Sequence, residues 1–341
     1  MQTVHNRVAD ILGIELPIVQ APMNYISGHA LTAAVSAAGG MGVLGPNAGK
    51  VQGEEISMHE RTLREFSRIR EVTDKPVGIN VVLPDGDNKA ALMYARSTVE
   101  AAAAGGATAA FCVGGLQPSI FELIKTKGMK LVVRPLTPTV KNAREAQAMG
   151  ADIFVATGYD AGGFLPSQPT GTISIVPTIV DAVTIPVLAA GGINDLRGVR
   201  AAFALGAEGV YVGTRFIATN ECAANDHAKE LICKLSGSNL LYVDETQRSL
   251  PTEFAAEVND KRRLAPTVPT MVDLVGAIRI GMYDGEPDKG IVTVNTGIDV
   301  IRTVVPAAQV VRELMADFLR YAESAKAKAS VGESAPVRII Q

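Results

Sequence analysis

The chain has 341 residues, of which 47% are hydrophobic and 20% are charged. This length and composition allow one large domain with a full hydrophobic core and an insertion. Because 32 basic residues nearly balance 35 acidic ones, without a long block of either sign, the chain lacks the charge pattern of a nucleic-acid-binding protein. We therefore expect a small-molecule substrate and no nucleic-acid partner.

Cysteine usage and hydropathy indicate in which cellular compartment the protein is expected. Cys112, Cys222 and Cys233 are an odd number without CxxC spacing, which argues against a disulfide framework and against a structural metal site. No basic segment followed by an apolar one opens the sequence, and no run reaches the roughly 18 apolar residues of a membrane span. We expect a cytoplasmic protein without a membrane partner, and a homodimer remains open.

Short apolar runs alternate with amphipathic or alanine-rich stretches from Leu16 to about Gly213. The eight runs are Pro17 to Gln20, Gly42 to Leu44, Val77 to Val82, Ala109 to Val113, Leu131 to Val133, Ile153 to Ala156, Pro186 to Ala189 and Gly209 to Val212. Near-continuous apolar strands indicate a parallel sheet that is buried on both faces. Eight strand and helix units of this length favour a TIM (β/α)₈ barrel over a doubly wound sheet.

The alternation ends near Ser236, and this change predicts the domain organisation. We assign residues 1–236 to the barrel and residues 237–306 to a smaller helical cap or insertion domain, which carries turn signals such as Asp284-Gly285. Residues 307–329 form an amphipathic pattern that predicts a helix returning to the barrel. Residues 330–341 are expected to form a loosely held tail.

The ends of the last two strands predict an anion site. Gly191 and Gly192 follow the seventh run, while Gly213 and Thr214 follow the eighth. Paired glycines let backbone N–H groups close around an anion. In a TIM barrel the active site lies at the carboxyl ends of the strands, and the loops after strands seven and eight form a recurrent phosphate site. The two loops together therefore favour phosphate binding over plain tight turns.

Other strand ends carry further candidates. The first run is followed by Ala21, Pro22 and Met23, where the proline fixes the backbone and can aim main-chain groups at a flat ligand, or forms an ordinary turn. Asn80 lies in the closing part of the third strand, Gly78 to Pro84, and Arg134 follows the fifth run. Each of these two side chains either meets the edge of a flat ring or hydrogen-bonds a neighbouring loop.

The loop after the sixth run combines a phenol with a carboxylate. Asp160 is a candidate general base, although most loop aspartates are solvated or cap a helix, and Tyr159 is a candidate proton donor. Cys112 ends the fourth run and is expected to be a buried apolar residue, because a reactive thiolate needs a cationic neighbour.

Five segments taken together resemble the nitronate monooxygenase family, formerly called 2-nitropropane dioxygenases, which includes flavin-dependent enoyl-ACP reductases. They are QAPMNYISGHALTAAVSAAGGMGVLG from Gln20, PVGINVVLP from Pro76, TGYDAGGF from Thr157, AAGGINDLRGVRAAFALGAEGVYVGTRFIAT from Ala189 and DKGIVTVNTG from Asp288. The resemblance spans nearly the whole chain. Its most specific piece starts at Ala189, where the GG and GTRFxAT elements keep the family spacing.

The resemblance implies a noncovalently bound FMN and a set of residues that hold it. These residues are Ala21, Pro22, Met23, Asn80, Arg134, Gly158, Gly163, Gly191, Gly192, Gly213 and Thr214. The flavin ring is expected near Pro22 and Met23, and the phosphate at the last four residues. Arg134 stands where the family commonly has lysine; both can lie near the N1 edge of the flavin, although the wider Arg is not a simple substitute for Lys.

One position departs from the family pattern. The family loop typically reads xEAGGH, with the histidine as base or proton partner, and Phe164 stands at that place here. Abstraction of a proton from a neutral nitroalkane is therefore in doubt, whereas a nitronate arrives already deprotonated. Tyr159 and Asp160 are the remaining candidate catalytic residues.

Three functions follow from these patterns. The leading one is FMN-dependent oxidation of a nitronate or related carbanion with O₂. The alternative is an NAD(P)H-dependent flavin reductase of an enoyl thioester, activated alkene or quinone. A third is a barrel that grips a phosphorylated metabolite without redox chemistry.

Overall fold

The structure is a computed structural model that describes residues 5–51, 53–265 and 274–330. Eight parallel strands form its centre, in the order β1-β8-β7-β6-β5-β4-β3-β2. A parallel bridge between Val19 and Met41 links the two ends of this order and closes the barrel. The predicted TIM barrel is confirmed.

The strand bounds follow the eight apolar runs closely. They are β1 Ile18–Gln20, β2 Gly42–Leu44, β3 Val77–Leu83, β4 Ala109–Gly114, β5 Lys130–Arg134, β6 Ile153–Thr157, β7 Val187–Ala190 and β8 Gly209–Val212. Most strands differ from their runs by one residue at an end. Hydrophobicity marks the buried centre of a strand, whereas the ladder of hydrogen bonds continues into polar ends such as Lys130 and Arg134.

Helices alternate with the strands around the barrel. They are α1 Arg7–Leu12, α2 His29–Ala37, α3 Met58–Arg70, α4 Lys89–Ala104, α5 Pro118–Thr126, α6 Val140–Ala148, α7 Thr172–Val180, α8 Leu196–Ala204, α9 Thr214–Ile217 and α10 Asp226–Lys234. Local sequence explains several of the starts. Ser57 and Glu60 form a reciprocal capping box at α3, and the Asp195 carboxylate accepts from two backbone N–H groups at α8.

Side chains that alternate along each strand divide the core in two. One set lies inside the barrel, including Val19, Val43, Phe111 and Tyr211, and is joined at the amino end by Val8 of α1. The other set faces the helices and forms the larger core. Because every strand is covered on both faces, its sequence is apolar without alternation, as the sequence pattern predicted.

The cap region, residues 237–306, contains a short hairpin and irregular helices. The hairpin pairs β9 Leu241–Tyr242 with β10 Arg248–Ser249, and it is followed by α11 Glu253–Leu264, α12 Leu274–Ile278 and a π-helical turn at Arg279–Tyr283. The stretch predicted as one helix from 307 is present as α13 Ala307–Leu314 and α14 Ala316–Ser330, separated at Met315. The tail predicted for 330–341 lies outside the described residues apart from Ser330.

The described helices include none that is both long and apolar enough to span a membrane.

Candidate active site

The carboxyl ends of the eight strands surround an opening that we call the mouth. Alternation along the strands places Asn80, Arg134 and Thr157 on its inner side, since each lies two residues after an inward-facing position of β3, β5 or β6. Ala21 at the end of β1 belongs to the same inner set. The structure thus brings together candidates that lie more than 100 residues apart in the sequence.

Arg134 is a cation without a counter-ion. Its side chain is half-buried, and it forms no hydrogen bond or ion pair with any residue that the structure describes. Burial lowers the pKa of the Arg134 guanidinium, and the charge of the nearby Tyr211 phenol opposes this lowering only in part. Burial also raises the pKa of the Tyr211 phenol itself. A cation in a weakly solvated place without an acid beside it indicates an anionic ligand.

Two further polar groups lie buried without a partner. The hydroxyl of Thr157 at the end of β6 and the side-chain amide of Gln247 in the cap hairpin contact no donor or acceptor in the described structure. Both residues are almost fully buried. Leaving a buried polar group unpaired costs about 1 to 3 kcal/mol. Sequence reasoning missed both, because neither has a local motif.

The loops after β7 and β8 carry free backbone donors. Within the described part of the chain, no acceptor receives a hydrogen bond from the N–H groups of Gly191, Gly192, Gly213 and Thr214. Gly191 and Gly192 have φ values of 108° and 73°, a region that favours glycine. The hydroxyl of Thr172 donates to the Gly191 carbonyl over 2.9 Å and holds this turn in place. Four N–H groups at adjacent strand ends suit a phosphate.

A segment that returns from the cap locks these two loops together. Asn194 and Asn295 exchange two amide hydrogen bonds of 2.9 and 2.8 Å, and the backbone N–H of Asn295 donates to the hydroxyl of Thr214 over 3.0 Å. Asn194 also donates to the carbonyl of Gly297 over 2.8 Å. These contacts join residues 81 to 103 positions apart, so the strand pattern did not indicate that Asn194 and Asn295 would meet.

Gly213 opens directly onto the mouth. Its φ of −106° suits any residue, so backbone conformation does not require glycine here. A Cβ atom at this position would lie 3.7 Å from Cβ of Ala21 and 3.9 Å from Sδ of Met23. The structure therefore brings Gly213 beside the strand end where the flat ring was predicted, close enough for a Cβ atom at Gly213 to contact Ala21 and Met23.

The loop after β6 is held by the surrounding protein. The Asp160 carboxylate accepts from the backbone N–H of Thr172 over 2.7 Å at the start of α7. The Tyr159 hydroxyl donates to that of Tyr242 over 3.4 Å, and this contact, followed by burial, raises the Tyr159 pKa. Asp160 thus has a capping role, the alternative that the sequence left open, and its role in catalysis stays a prediction.

Arg248 fixes the same loop from the cap hairpin. Its Nη2 donates to the carbonyls of Tyr159 and Ala161 over 2.6 and 2.9 Å, and its guanidinium lies 5.1 Å from the Tyr159 ring centre. Only 6% of the residue is exposed. A cation that holds two loop carbonyls is a positioning element that the sequence patterns did not reveal, because its partners lie almost 90 residues away.

The glycines of the loop have different local roles. A Cβ at Gly158 would lie 2.2 Å from the Thr172 hydroxyl, so the close packing against α7 requires glycine. Gly163 has a φ of 70° and open space around it. Their predicted contact with the cofactor stays a prediction. Cys112 faces the helices, is 1% exposed, and burial raises its pKa, as expected for an unreactive thiol.

Phe164 lies at the rim of the site and carries no base. It is 42% exposed and forms an antiparallel bridge with Gln247. The four histidines lie elsewhere: His5 precedes α1, and the other three are in helices α2, α3 and α10. His29 pairs with the buried carboxylate of Glu65 at 2.9 Å.

The fold and these groups define a class of protein: a TIM barrel whose carboxyl end offers unbonded backbone donors and an unpaired cation, which suit a phosphate-bearing, anionic ligand. The nitronate monooxygenase family matches residues 5–317, and the chain belongs to that family. The family predicted from the sequence is confirmed.

Several known proteins are similar over much of their length. The 5-hydroxy-7a-methyl-1-oxo-octahydro-1H-indene-4-carboxyl-CoA dehydrogenase of Rhodococcus jostii is 33% identical over 67% of this chain, but the match covers only 60% of that protein. A probable nitronate monooxygenase of Staphylococcus saprophyticus is 28% identical over 80% of this chain and 86% of its own length. The structure of FabK from Thermotoga maritima is 29% identical, covers 95% of this chain and 99% of its own, and has a TM-score of 0.79.

Proposed function

We propose that the protein is an FMN-dependent oxidoreductase that oxidises a nitronate, or a related stabilised carbanion, with O₂. The observation that carries this proposal is the unpaired Arg134 cation, in the same mouth as four free backbone N–H groups. The residues fit FMN, because the mouth offers unbonded donors for a phosphate and an unpaired cation for the ring.

In this proposal each group has a defined task. The N–H groups of Gly191, Gly192, Gly213 and Thr214 hold the phosphate, and Ala21, Pro22 and Met23 border the ring. Asn80 and Arg134 approach the ring edge, with Arg134 stabilising negative charge there. When bound, FMN accepts two electrons from the substrate and passes them to O₂.

The substrate is proposed to arrive as an anion. Phe164 offers no proton acceptor at the place where the family has histidine, and the Asp160 carboxylate already accepts from the start of α7. The raised pKa of Tyr159 keeps its phenol protonated near neutrality, so it is suited to donate a hydrogen bond and not to remove a proton. A nitronate needs no base, which favours it over a neutral nitroalkane.

A second candidate is an NAD(P)H-dependent reductase of an enoyl thioester, activated alkene or quinone. Two observations favour it: Phe164 places an exposed apolar side chain on the loop after β6, and the Rhodococcus jostii relative is named for a carboxyl-CoA substrate. We further propose a cytoplasmic protein with a small-molecule substrate, and size-exclusion chromatography with light scattering tests for a homodimer.

Oxygen uptake separates the two candidates. The purified protein, supplied with FMN, is assayed with propionate 3-nitronate alone and with NADH or NADPH plus a short enoyl thioester. We expect oxygen uptake with the nitronate in the absence of a nicotinamide. Thioester reduction at the expense of NADH or NADPH, without nitronate oxidation, favours the second candidate.

A further inference from the structure

A small groove lies beside the mouth, outside the residues assigned to FMN apart from Asn80. Its walls are the loop after β2, helices α3 and α4, and the end of β3. The polar side chains that line it include Asn47, Arg61, Asn80, Tyr94 and Thr98. Asn80 is among the residues that line the groove and also lies at the mouth, so the groove and the mouth are neighbours.

Arg61 is the unusual member of this lining. It is 8% exposed, yet no hydrogen bond or ion pair joins its guanidinium to a residue in the described ranges. Long cationic side chains are rarely buried without a partner, because desolvating the charge is costly. Arg61 is also one of the residues that line the groove.

The two carboxylates near Arg61 pair with other residues. Glu54 pairs with Arg64, and this hydrogen bond is the main cause of its lowered pKa, with the charge of Arg61 a lesser one. Glu65, one turn along α3, accepts from His29 and from Arg68. Neither carboxylate bonds Arg61, so its charge remains available to a ligand.

The other polar groups of the groove are mainly satisfied. The hydroxyls of Thr62 and Thr98 donate to carbonyls of their own helices, and the Asn47 amide donates to Asn24 over 3.0 Å. The donors that remain are the Arg61 guanidinium and the hydroxyl of Tyr94, whose side chain is 44% exposed. Two donors with one positive charge suit an oxyanion.

We infer that this groove is an oxyanion subsite in which Arg61 binds the anionic tail of a substrate whose reacting end lies at the mouth. A carboxylate and a phosphate monoester share the required chemistry. The inference that an anion binds here rests on the residues of the groove. Only the reaction that the bound substrate undergoes rests on the proposed function. Arg61 would act as a specificity residue and would not take part in electron transfer.

Binding without turnover tests the subsite first. Succinate and inorganic phosphate are titrated calorimetrically into the FMN-loaded enzyme, in which the phosphate loops are filled. We expect the wild type to bind one of them, and Arg61→Met to bind it roughly 10- to 100-fold more weakly, as for loss of a charged hydrogen bond. Preference for succinate identifies a carboxylate tail, and preference for phosphate a phosphorylated one.

The matched control is Arg96→Met, which removes the same charge from an exposed position of α4 that does not line the groove. It should keep wild-type affinity. The inference is overturned if the wild type binds neither anion, if Arg61→Met binds as tightly as wild type, or if both variants lose affinity equally. Should Arg61→Met fail to fold, as judged by circular dichroism, Arg61→Gln takes its place.

A kinetic comparison then links the subsite to the mouth. The ratio of kcat/KM for propionate 3-nitronate to that for the uncharged-tail propyl-1-nitronate should fall roughly tenfold in Arg61→Met. An unchanged ratio would contradict a link between groove and mouth. If the protein oxidises neither nitronate, the proposed function fails, whereas the anion titration still decides whether the subsite exists.

Discussion

At the scale of single residues, Gly213 and Gly191 make different demands on a substitution. A Cβ atom at Gly213 would lie no closer than 3.7 Å to the nearest protein atom outside its chain neighbours. A Cβ atom at Gly191 would lie 2.8 Å from the Thr172 hydroxyl, in a backbone conformation that disfavours a side chain. We expect Gly213→Val to fold normally but to lose FMN, because the new side chain fills the space beside Ala21 and Met23.

The measurement is flavin occupancy by absorbance together with Tm of the FMN-free protein. Gly191→Val should lower both quantities, since it strains the protein itself. Full FMN occupancy in Gly213→Val would mean that the phosphate does not bind between these loops.

Substitutions of Arg134 provide a second test at the scale of single residues. Removing its charge in Arg134→Met should weaken FMN binding roughly 10- to 100-fold, if the cation meets the electron-rich edge of the ring. Arg134→Lys keeps the charge and should lose less, although a lysine cannot donate two parallel hydrogen bonds. Fluorescence titration of FMN measures both. Equal affinity in wild type and Arg134→Met would remove Arg134 from the site.

We propose that Phe164 decides which substrates the protein can use. We expect wild type to oxidise nitronates and to discriminate strongly against neutral nitroalkanes, and Phe164→His to gain nitroalkane activity. Asp160→Asn should change nitronate oxidation little, because asparagine also accepts the hydrogen bond from Thr172.

Steady-state assays on one nitroalkane and its nitronate compare the three forms of the enzyme. If wild type oxidises the nitroalkane and Asp160→Asn does not, then Asp160 is the base and the account of Phe164 is wrong.

The residues that sequence reasoning found and those that it missed differ in a physical way. Gly191, Gly213 and Arg134 stand at the ends of strongly apolar runs, so the strand pattern itself places them at the mouth. The hydrogen-bond partners of Asn295 lie 81 and 101 positions away along the chain. Those of Arg248 lie almost 90 positions away. Contacts over such separations leave no local pattern, and a single sequence cannot reveal them.

At the scale of elements, the cap hairpin and the loop after β6 form one unit. Arg248 of β10 donates to two loop carbonyls, and Phe164 bridges Gln247. Arg248→Met should lower the free energy of unfolding by roughly 2 to 3 kcal/mol, because it removes charge-assisted hydrogen bonds and leaves two carbonyls without their donor.

Urea unfolding measures that loss, and hydrogen exchange should show faster opening of residues 158–164. Arg263→Met, at an exposed position of α11, is the matched control and should change neither quantity. If residues 158–164 exchange hydrogen no faster in Arg248→Met than in wild type, then the hairpin does not stabilise the loop.

The eight strands could be predicted because each is buried on both faces, so hydrophobic runs mark them directly. For the region after Ser236, the sequence showed only that the regular alternation of apolar runs and helical stretches ends there. Its hairpin strands have two residues each, and the π-helical turn at Arg279–Tyr283 has no distinctive sequence pattern. The break at Met315 between α13 and α14 interrupts an amphipathic pattern that continues through it.

At the scale of the whole molecule, the barrel supplies a rigid frame and its two ends have different tasks. Helix α1 covers the amino end, where Val8 and Leu12 join the inner core. The carboxyl end gathers free donors and a cation, and the cap returns through Asn295 to tie the loops after β7 and β8. Stability and chemistry are thus separated along the barrel axis, as is usual for this fold.

The central claim is that bound FMN takes electrons from a nitronate at this mouth. The most direct test is anaerobic mixing of the FMN-loaded protein with propionate 3-nitronate, with NADH and with NADPH, while the flavin absorbance is followed. We predict rapid bleaching by the nitronate and recovery of the colour when air is admitted. Bleaching by NADH or NADPH alone, or a purified protein that cannot be loaded with FMN, would contradict the account.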